Sequence, residues 1–297
     1  MSRGQAAILS RRYVIGVRVS LLRDSSYRLQ VLPLFAAVVL ALTCARVAIA
    51  ADALNFPPSD FDILNADTEQ LIGHGHYTVD QSAGAIVLHG ENRYLNGEYD
   101  TEEDKLTTGG DSPLPVLHRF RHDFFNANGS PSMDARIDME TGEGVCGKTE
   151  LGKLELTSEQ LKFPADTFAG ASVLIPIQDF ISHGERESVL KLHVFNCAPT
   201  PKLIAVDVKR EPGVQVWVHY PPGELEKIDI KPNFGFFTVV LQPFIPKLAA
   251  WFDASQQSLL VGAQLQRYYK GTKIILVRKR EVTISNGASG QTSSPAR

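Results

Sequence analysis

The chain has 297 residues, 43% of them hydrophobic, with 30 basic against 33 acidic side chains. Seven of the bases (Arg3, Arg11, Arg12, Arg18, Arg23, Arg28 and Arg46) and one acid (Asp24) fall within the first 50 residues, so the remaining 247 carry 23 bases against 32 acids, a formal charge of −9. That balance repels phosphate backbones and argues against nucleic acid as a partner, while the absence of any Cys-x-x-Cys pair excludes zinc ribbons and thioredoxin-like redox chemistry.

Residues 31–50 form a short apolar run ending in Ala48-Ile49-Ala50, the pattern of an export signal and its cleavage site. Cleavage is expected after Ala50, releasing a periplasmic or secreted protein. Three alternatives compete. An uncleaved anchor facing the periplasm needs roughly 18 apolar residues, whereas this run begins after Gln30 and meets Arg46. Lipidation at Cys44 has only the loose lipobox Ala41-Leu42-Thr43 before it. A twin-arginine signal at Ser10-Arg11-Arg12 is interrupted by Arg18, Arg23 and Asp24. A membrane contact is expected only through this leader or its lipidation.

Residues 51–68, including Phe56-Pro57-Pro58-Ser59-Asp60, lack periodicity and read as a linker to one β-rich globular domain over 69–284. Strand patterns cover 71–79 and 85–95, and Asn96-Gly97 favours a hairpin into the acidic stretch 98–108. After a loop at 109–115, Asn128-Gly129 marks a second hairpin between 116–125 and 133–139. Residues 166–182 carry a helical apolar stripe, with Pro176 expected to kink or split it. Strands resume over 189–195, 203–208, 214–220 and 225–230, at meander spacing. The nearly continuous apolar run 234–245 fits a buried strand, a short helix or a lining segment. Strands at 248–253, 259–268 and 272–279 finish the sheet, and 285–297 reads as a disordered tail.

The fold class that follows is mainly β (α+β): a strongly curved antiparallel sheet or incomplete barrel of meander hairpins with one or two short helices. Its alternating strands have one dry face. That face must be covered by a second sheet, by the sheet's own curl, or by the helix.

Two stretches carry a resemblance. Phe163-Pro164-Ala165-Asp166-Thr167 leading to Leu190-Lys191-Leu192-His193-Val194-Phe195, and Trp251-Phe252-Asp253 followed by Leu259-Leu260-Val261 and Ile274-Ile275-Leu276-Val277, resemble exported bacterial β-rich domains of unknown function. The presumed architecture of these domains is similar to that of the lipoprotein carriers LolA and LolB, a curved sheet wrapped around helices. The resemblance spans roughly residues 70–280 by order of elements. It implies a fold class and hints at hydrophobic-ligand binding, and transfers no functional residue.

The search for chemistry is mostly negative. His74 and His76, like His118 and His122, share a strand face, but no local carboxylate completes a metal motif, and no metal is expected. The run Asp100-Thr101-Glu102-Glu103-Asp104 fails as a calcium loop, because Lys105 stands where the loop turns on Gly and Asp111 replaces the bidentate Glu. It reads as a solvated, charge-protected edge strand. Gly170-Ala171-Ser172-Val173-Leu174 lacks the second Gly of a nucleophile elbow. No catalytic residue and no cofactor is named.

Aromatic density in the last third is more suggestive. Trp217, Phe236, Phe244 and Trp251 are candidates for the wall of an apolar ligand cavity, the alternative being an ordinary core. Cys146 and Cys197, the only cysteines after the leader, are expected to pair in an oxidising compartment, the alternative being two buried thiols. The functional expectation is a noncatalytic envelope protein that binds a lipid or other apolar ligand, or an envelope partner. A periplasmic hydrolase whose site assembles only in the fold is the alternative.

Overall fold

A computed structural model describes residues 57–82, 84–108, 114–183, 187–213, 215–221, 225–235, 248–256, 258–268 and 271–280. The export leader with its cleavage site, residues 51–56 of the expected linker, the run 236–247 and the tail lie outside them.

The described residues form a single sheet of fifteen strands. β1 (Ser59–Asn65), β2 (Leu71–Ser82), β3 (Ala85–Tyr94), β4 (Tyr99–Thr107), β5 (Val116–Phe125), β6 (Pro131–Asp138), β7 (Glu143–Glu150) and β8 (Lys153–Gln160) make one meander. A two-residue strand, β9 (Thr167–Phe168), precedes a 3-10 turn (Gly170–Val173) and the helix α1 (Leu174–His183). A second meander follows: β10 (Leu190–Cys197), β11 (Pro201–Arg210), β12 (Leu225–Pro232), β13 (Leu248–Asp253), β14 (Leu259–Gln266) and β15 (Lys273–Arg278). The sheet order is β8 to β1 in reverse, then β15 down to β9, so the two meanders join where β1 pairs with β15. Every pairing is antiparallel except that of β9 with β10.

The expected curved, unclosed antiparallel sheet is therefore the fold. Both Asn-Gly hairpins fall where they were placed, between β3 and β4 and between β5 and β6. Pro176 does not break α1, because it lies in the first turn, where backbone N–H groups have no partner within the helix. The other end of α1 is held by Arg210, whose Nη2 donates to the carbonyls of Phe180 and Ile181. Pro, Ile and Phe side chains of α1 (Ile175, Pro176, Ile177, Phe180 and Ile181) are buried.

Four readings need correction. Ser59–Asn65, inside the stretch taken as a linker, is the central strand β1, paired on both sides. The tether-like sequence concealed it: Phe61 and Ile63 alternate inward over too few residues to stand out, yet both are fully packed. β7 and β8 went unseen because their Gly, Glu and Lys content lacks an apolar stripe, and β8 is mostly exposed. Residues 215–220 are no strand: Val216 and Val218 face solvent while Trp217 and Tyr220 are buried. The alternation there is that of a loop pressed onto the sheet. The acidic stretch is the fourth correction.

β4 is not an edge. It pairs with β3 over nine residues and with β5 over another nine. Its inward positions are Asp100, Glu102, Asp104 and Leu106, all buried. The acids alternate with Thr101, Glu103 and Lys105, so one side of the strand carries three carboxylates into the interior.

The sheet has two apolar faces. The concave face holds the main core, with Phe61, Ile63, Ile86, Phe120, Val208 and Phe252 among its members. On the convex face of β1, β15, β14 and β13, a smaller cluster of Trp251, Val261 and Ile275 is roofed by Trp217 and Tyr220 from the loop between β11 and β12. Gly262 makes this possible: a Cβ there would stand 2.0 Å from Trp217 Cη2.

The curl brings the two ends of the sheet together, and the Cys146–Cys197 disulfide joins them. β7 and β10 are each the second strand from an edge, so the bond bridges the seam of the open barrel.

Candidate ligand cavity

The concave face does not close on itself completely. It leaves a cavity of about 1130 Å³, whose wall includes Phe61, Leu88, Phe120, Phe195, Val206 and Leu260. These residues sit there because strand alternation sends every second side chain of a curled sheet to its hollow. Aliphatic and aromatic atoms dominate the wall.

One sector is polar, and β4 supplies its centre. Asp100 Oδ1 accepts hydrogen bonds from Asn92 Nδ2 at 2.7 Å and from His122 Nε2 at 3.0 Å. The other ring nitrogen, Nδ1, lies 3.4 Å from Glu102 Oε2. Burial disfavours the imidazolium, but the Asp100 hydrogen bond and the charges of Glu102 and Asp100 outweigh it and raise the His122 pKa. For Asp100, burial is likewise opposed by His122, Asn92 and Arg267, which lower its pKa overall.

Glu102 and Asp104 also hold the start of the helical segment. Ala171 N–H donates to Glu102 Oε1 at 2.5 Å, and Ser172 N–H donates to Asp104 Oδ2 at 3.0 Å. Gly170 is required at this join: its φ is +51°, and a Cβ would meet Glu102 Oε1 at 2.1 Å. Burial first, then the mutual proximity of the two carboxyls, raises the pKa of Asp104 strongly. Glu102 is raised too, by burial against the opposing charge of His122 and the Ala171 bond. Two carboxyls in contact inside a protein share a proton.

Arg267 closes the sector. Its Nη1 bonds Glu98 at 2.6 Å, its Nε lies 3.5 Å from Asp100 Oδ2, and its guanidinium stacks 3.7 Å from the centre of the Tyr94 ring. Chemically, the sector is a cross-strand network of carboxylates, one imidazole and one guanidinium, drawn from β3, β4, β5 and the end of β14.

Both ring nitrogens of His122 are thus turned toward carboxyl groups, Asp100 on one side and Glu102 on the other.

Of the residues singled out from sequence, Trp217 and Trp251 stack at 4.6 Å and 5° on the convex face, outside the cavity lining. Phe236 and Phe244 lie outside the described residues. His74 and His76 pair with Asp62 at 2.8 Å and Asp60 at 2.7 Å, and His118 bonds Thr107 at 2.8 Å. Only His122 enters the network, and the described residues contain no cluster of three or more metal-type ligands. The residues that sequence reasoning missed are Asp100, Glu102 and Asp104. One signal was available: they share strand parity with Leu106, which marks their side of β4 as the inner one.

The fold and cavity define a curled antiparallel β-sheet protein with an apolar interior and one polar wall sector. No model of a protein family matches the chain, and no curated protein matches it. Among solved structures, the crystal structure of a beta-barrel-like protein of the domain of unknown function DUF1849 from Brucella abortus is similar. The two share 11% sequence identity over 75% of this chain and 95% of that one, with a TM-score of 0.42.

Proposed function

We propose that this is a noncatalytic, exported envelope protein that holds a lipid or another apolar ligand inside its curled sheet. The observation that carries the reading is the interior cavity of about 1130 Å³. It lies just above the volumes of about 300–1,000 Å³ typical of small-molecule sites. Export is supported by the leader and by a disulfide, a bond that persists in oxidising compartments. No helix among the described residues is long and apolar enough to cross a membrane.

Native purification followed by mass spectrometry of the extracted small molecules tests the reading directly. Filling the cavity tests it a second way. Val206→Phe and Leu260→Trp place bulk into the hollow, where a close-packed core would lose about 1–3 kcal/mol. A ligand cavity predicts unchanged thermal stability and loss of saturable Nile red binding. Destabilised variants of a parent that never bound the dye would reject the proposal.

A further inference from the structure

β8 is an open end of the sheet. It pairs with β7 along its whole length, from Glu150 opposite Lys153 to Glu143 opposite Gln160, and among the described residues no strand lies on its other side. Seven of its eight residues are exposed, and only Leu154 is half-buried. A row of unpaired N–H and C=O groups is a template for another strand, and proteins blunt such an edge with a bulge, a proline, a short strand or a cover. The other end of the sheet is blunted in this way, because β9 is two residues long. β8 is not: its register with β7 is unbroken and it contains no proline. What it carries instead is charge, and the order of the charges makes the edge complementary to itself.

The hairpin turn fixes which backbone groups point outward. Leu151 and Gly152 have φ of +51° and +80°, the two positive values of a type I′ turn, so the flanking Glu150 and Lys153 form a hydrogen-bonded pair. Residues 153, 155, 157 and 159 therefore bond to β7, in phase with Leu161, whose N–H donates to the Gly142 carbonyl. Residues 154, 156, 158 and 160 present their groups to the outside. A second β8 laid antiparallel must match outward residues with outward residues, so a two-fold axis passes through a residue position and not between two.

With the axis at Leu156, that residue faces its own copy, Leu154 faces the partner's Ser158, and about six backbone hydrogen bonds form. Lys153 then falls opposite the partner's Glu159, once on each side of the axis. These are non-hydrogen-bonded pairs, in which side chains stand closest. Among the described residues neither Lys153 nor Glu159 makes an ion pair within its own chain. Moving the axis by one residue sets like charges against each other: Glu155 meets the partner's Glu159 with the axis at Thr157, and its own copy with the axis at Glu155. Leu154 and Leu156 share a face, since a Cβ on Gly147 would stand 3.2 and 2.8 Å from them. Leu156 is 56% exposed, and across the axis the two leucines of each chain cover those of the other.

We infer that β8 is a self-complementary edge through which the protein pairs with a second copy of itself, antiparallel about a two-fold axis at Leu156. The two curled sheets become one continuous sheet, joined by an isologous contact. This assignment goes beyond the ligand-binding reading and does not depend on it.

Sedimentation velocity on the purified exported protein tests it. Between about 1 and 100 µM the mass should rise from one chain to two, as expected of an interface at the small end of the size range. Lys153→Glu and Glu159→Lys each turn both ion pairs into like-charge pairs and should shift dimerisation to a concentration at least about tenfold higher. The double variant restores the pairs in reverse order and should return the midpoint to within about threefold of the parent. All of these side chains are exposed, so unchanged thermal melts show that the fold is intact. A monomer at every concentration overturns the inference, and so does a dimer that the single reversals leave unchanged.

Cross-linking tests the register. Leu156→Cys should link to its copy under mild oxidation, because the Cα atoms of a hydrogen-bonded pair are about 5.5 Å apart. Ser158→Cys is offset from its own copy by about 13 Å along the strand, so it should stay unlinked alone and link when mixed with Leu154→Cys. Ser158→Cys linking alone as readily as Leu156→Cys overturns the pairing.

Discussion

Asp104 is the most consequential single residue of the interior. It has no solvent exposure, one of its oxygens accepts from Ser172 N–H, and its carboxyl lies against that of Glu102. Its folded pKa is raised, as are those of Glu102 and His122. A group whose folded pKa lies above its unfolded value binds protons better in the fold. Its contribution is complete below the unfolded value and is lost as pH rises through the folded one. Asp100 is shifted the other way, so its contribution disappears as pH falls through its lowered value. Stability should therefore be greatest on the mildly acidic side and fall as pH rises past neutrality. Asp104→Asn keeps an oxygen for Ser172 N–H and adds a donor toward Glu102. Thermal melts should show no gain at about pH 5 and a Tm at least about 2 °C above the parent at about pH 8. Equal shifts at both pH values would mean that the pair does not share a proton.

At the scale of elements, the loop between β11 and β12 acts as a second layer. Trp217 lies flat on Trp251 and fills the groove over Gly262. Truncating a buried Trp costs about 3–5 kcal/mol, and offset aromatic stacking adds about 0.5–1.5 kcal/mol beyond area. Trp217→Ala should destabilise the protein by about 3 kcal/mol in urea while the folded fraction keeps its Nile red affinity, because the ring is on the convex face. Gly262→Ala should be comparably harmful, since the added methyl has no space under the indole. Loss of dye binding in a fully folded Trp217→Ala protein would instead place the tryptophan at the ligand.

For the whole molecule, the disulfide decides whether the curl stays closed. It links strands near opposite edges, Cys146 on β7 and Cys197 on β10, 51 residues apart in the chain. A cross-link of this loop length contributes roughly 4 kcal/mol by restricting the unfolded chain. Cys146→Ser should lower stability by about that amount and speed proteolysis at the seam, measured by limited digestion under nonreducing conditions. A variant as stable as the parent would show that β-pairing and core alone hold the barrel shut. The export reading is checked at the same scale: N-terminal sequencing of envelope material should begin at Ala51, and an intact leader or a diacylglyceryl group on Cys44 would replace it with an anchor or a lipoprotein.

Local physics made part of this protein legible from its residues. The Asn96-Gly97 and Asn128-Gly129 turns, the alternating apolar strands and the apolar stripe of α1 report on neighbours a few positions away, so they were readable in order. The Cys146–Cys197 pairing was expected from there being two cysteines after the leader and from the export that the leader suggests. Which strands become neighbours is another matter. β1 reads as a tether because its value lies in pairing with β15, more than 200 residues later. The acids of β4 read as solvated because the groups that make their burial tolerable, His122, Ala171 N–H, Ser172 N–H and Arg267, arrive from up to 167 residues away. Trp217 and Trp251 were recognisable as buried aromatics, but only the curl of the sheet determines which of its two faces a side chain meets. Period and composition record that a side chain is hidden; the tertiary structure alone assigns it to the hollow or to the roof.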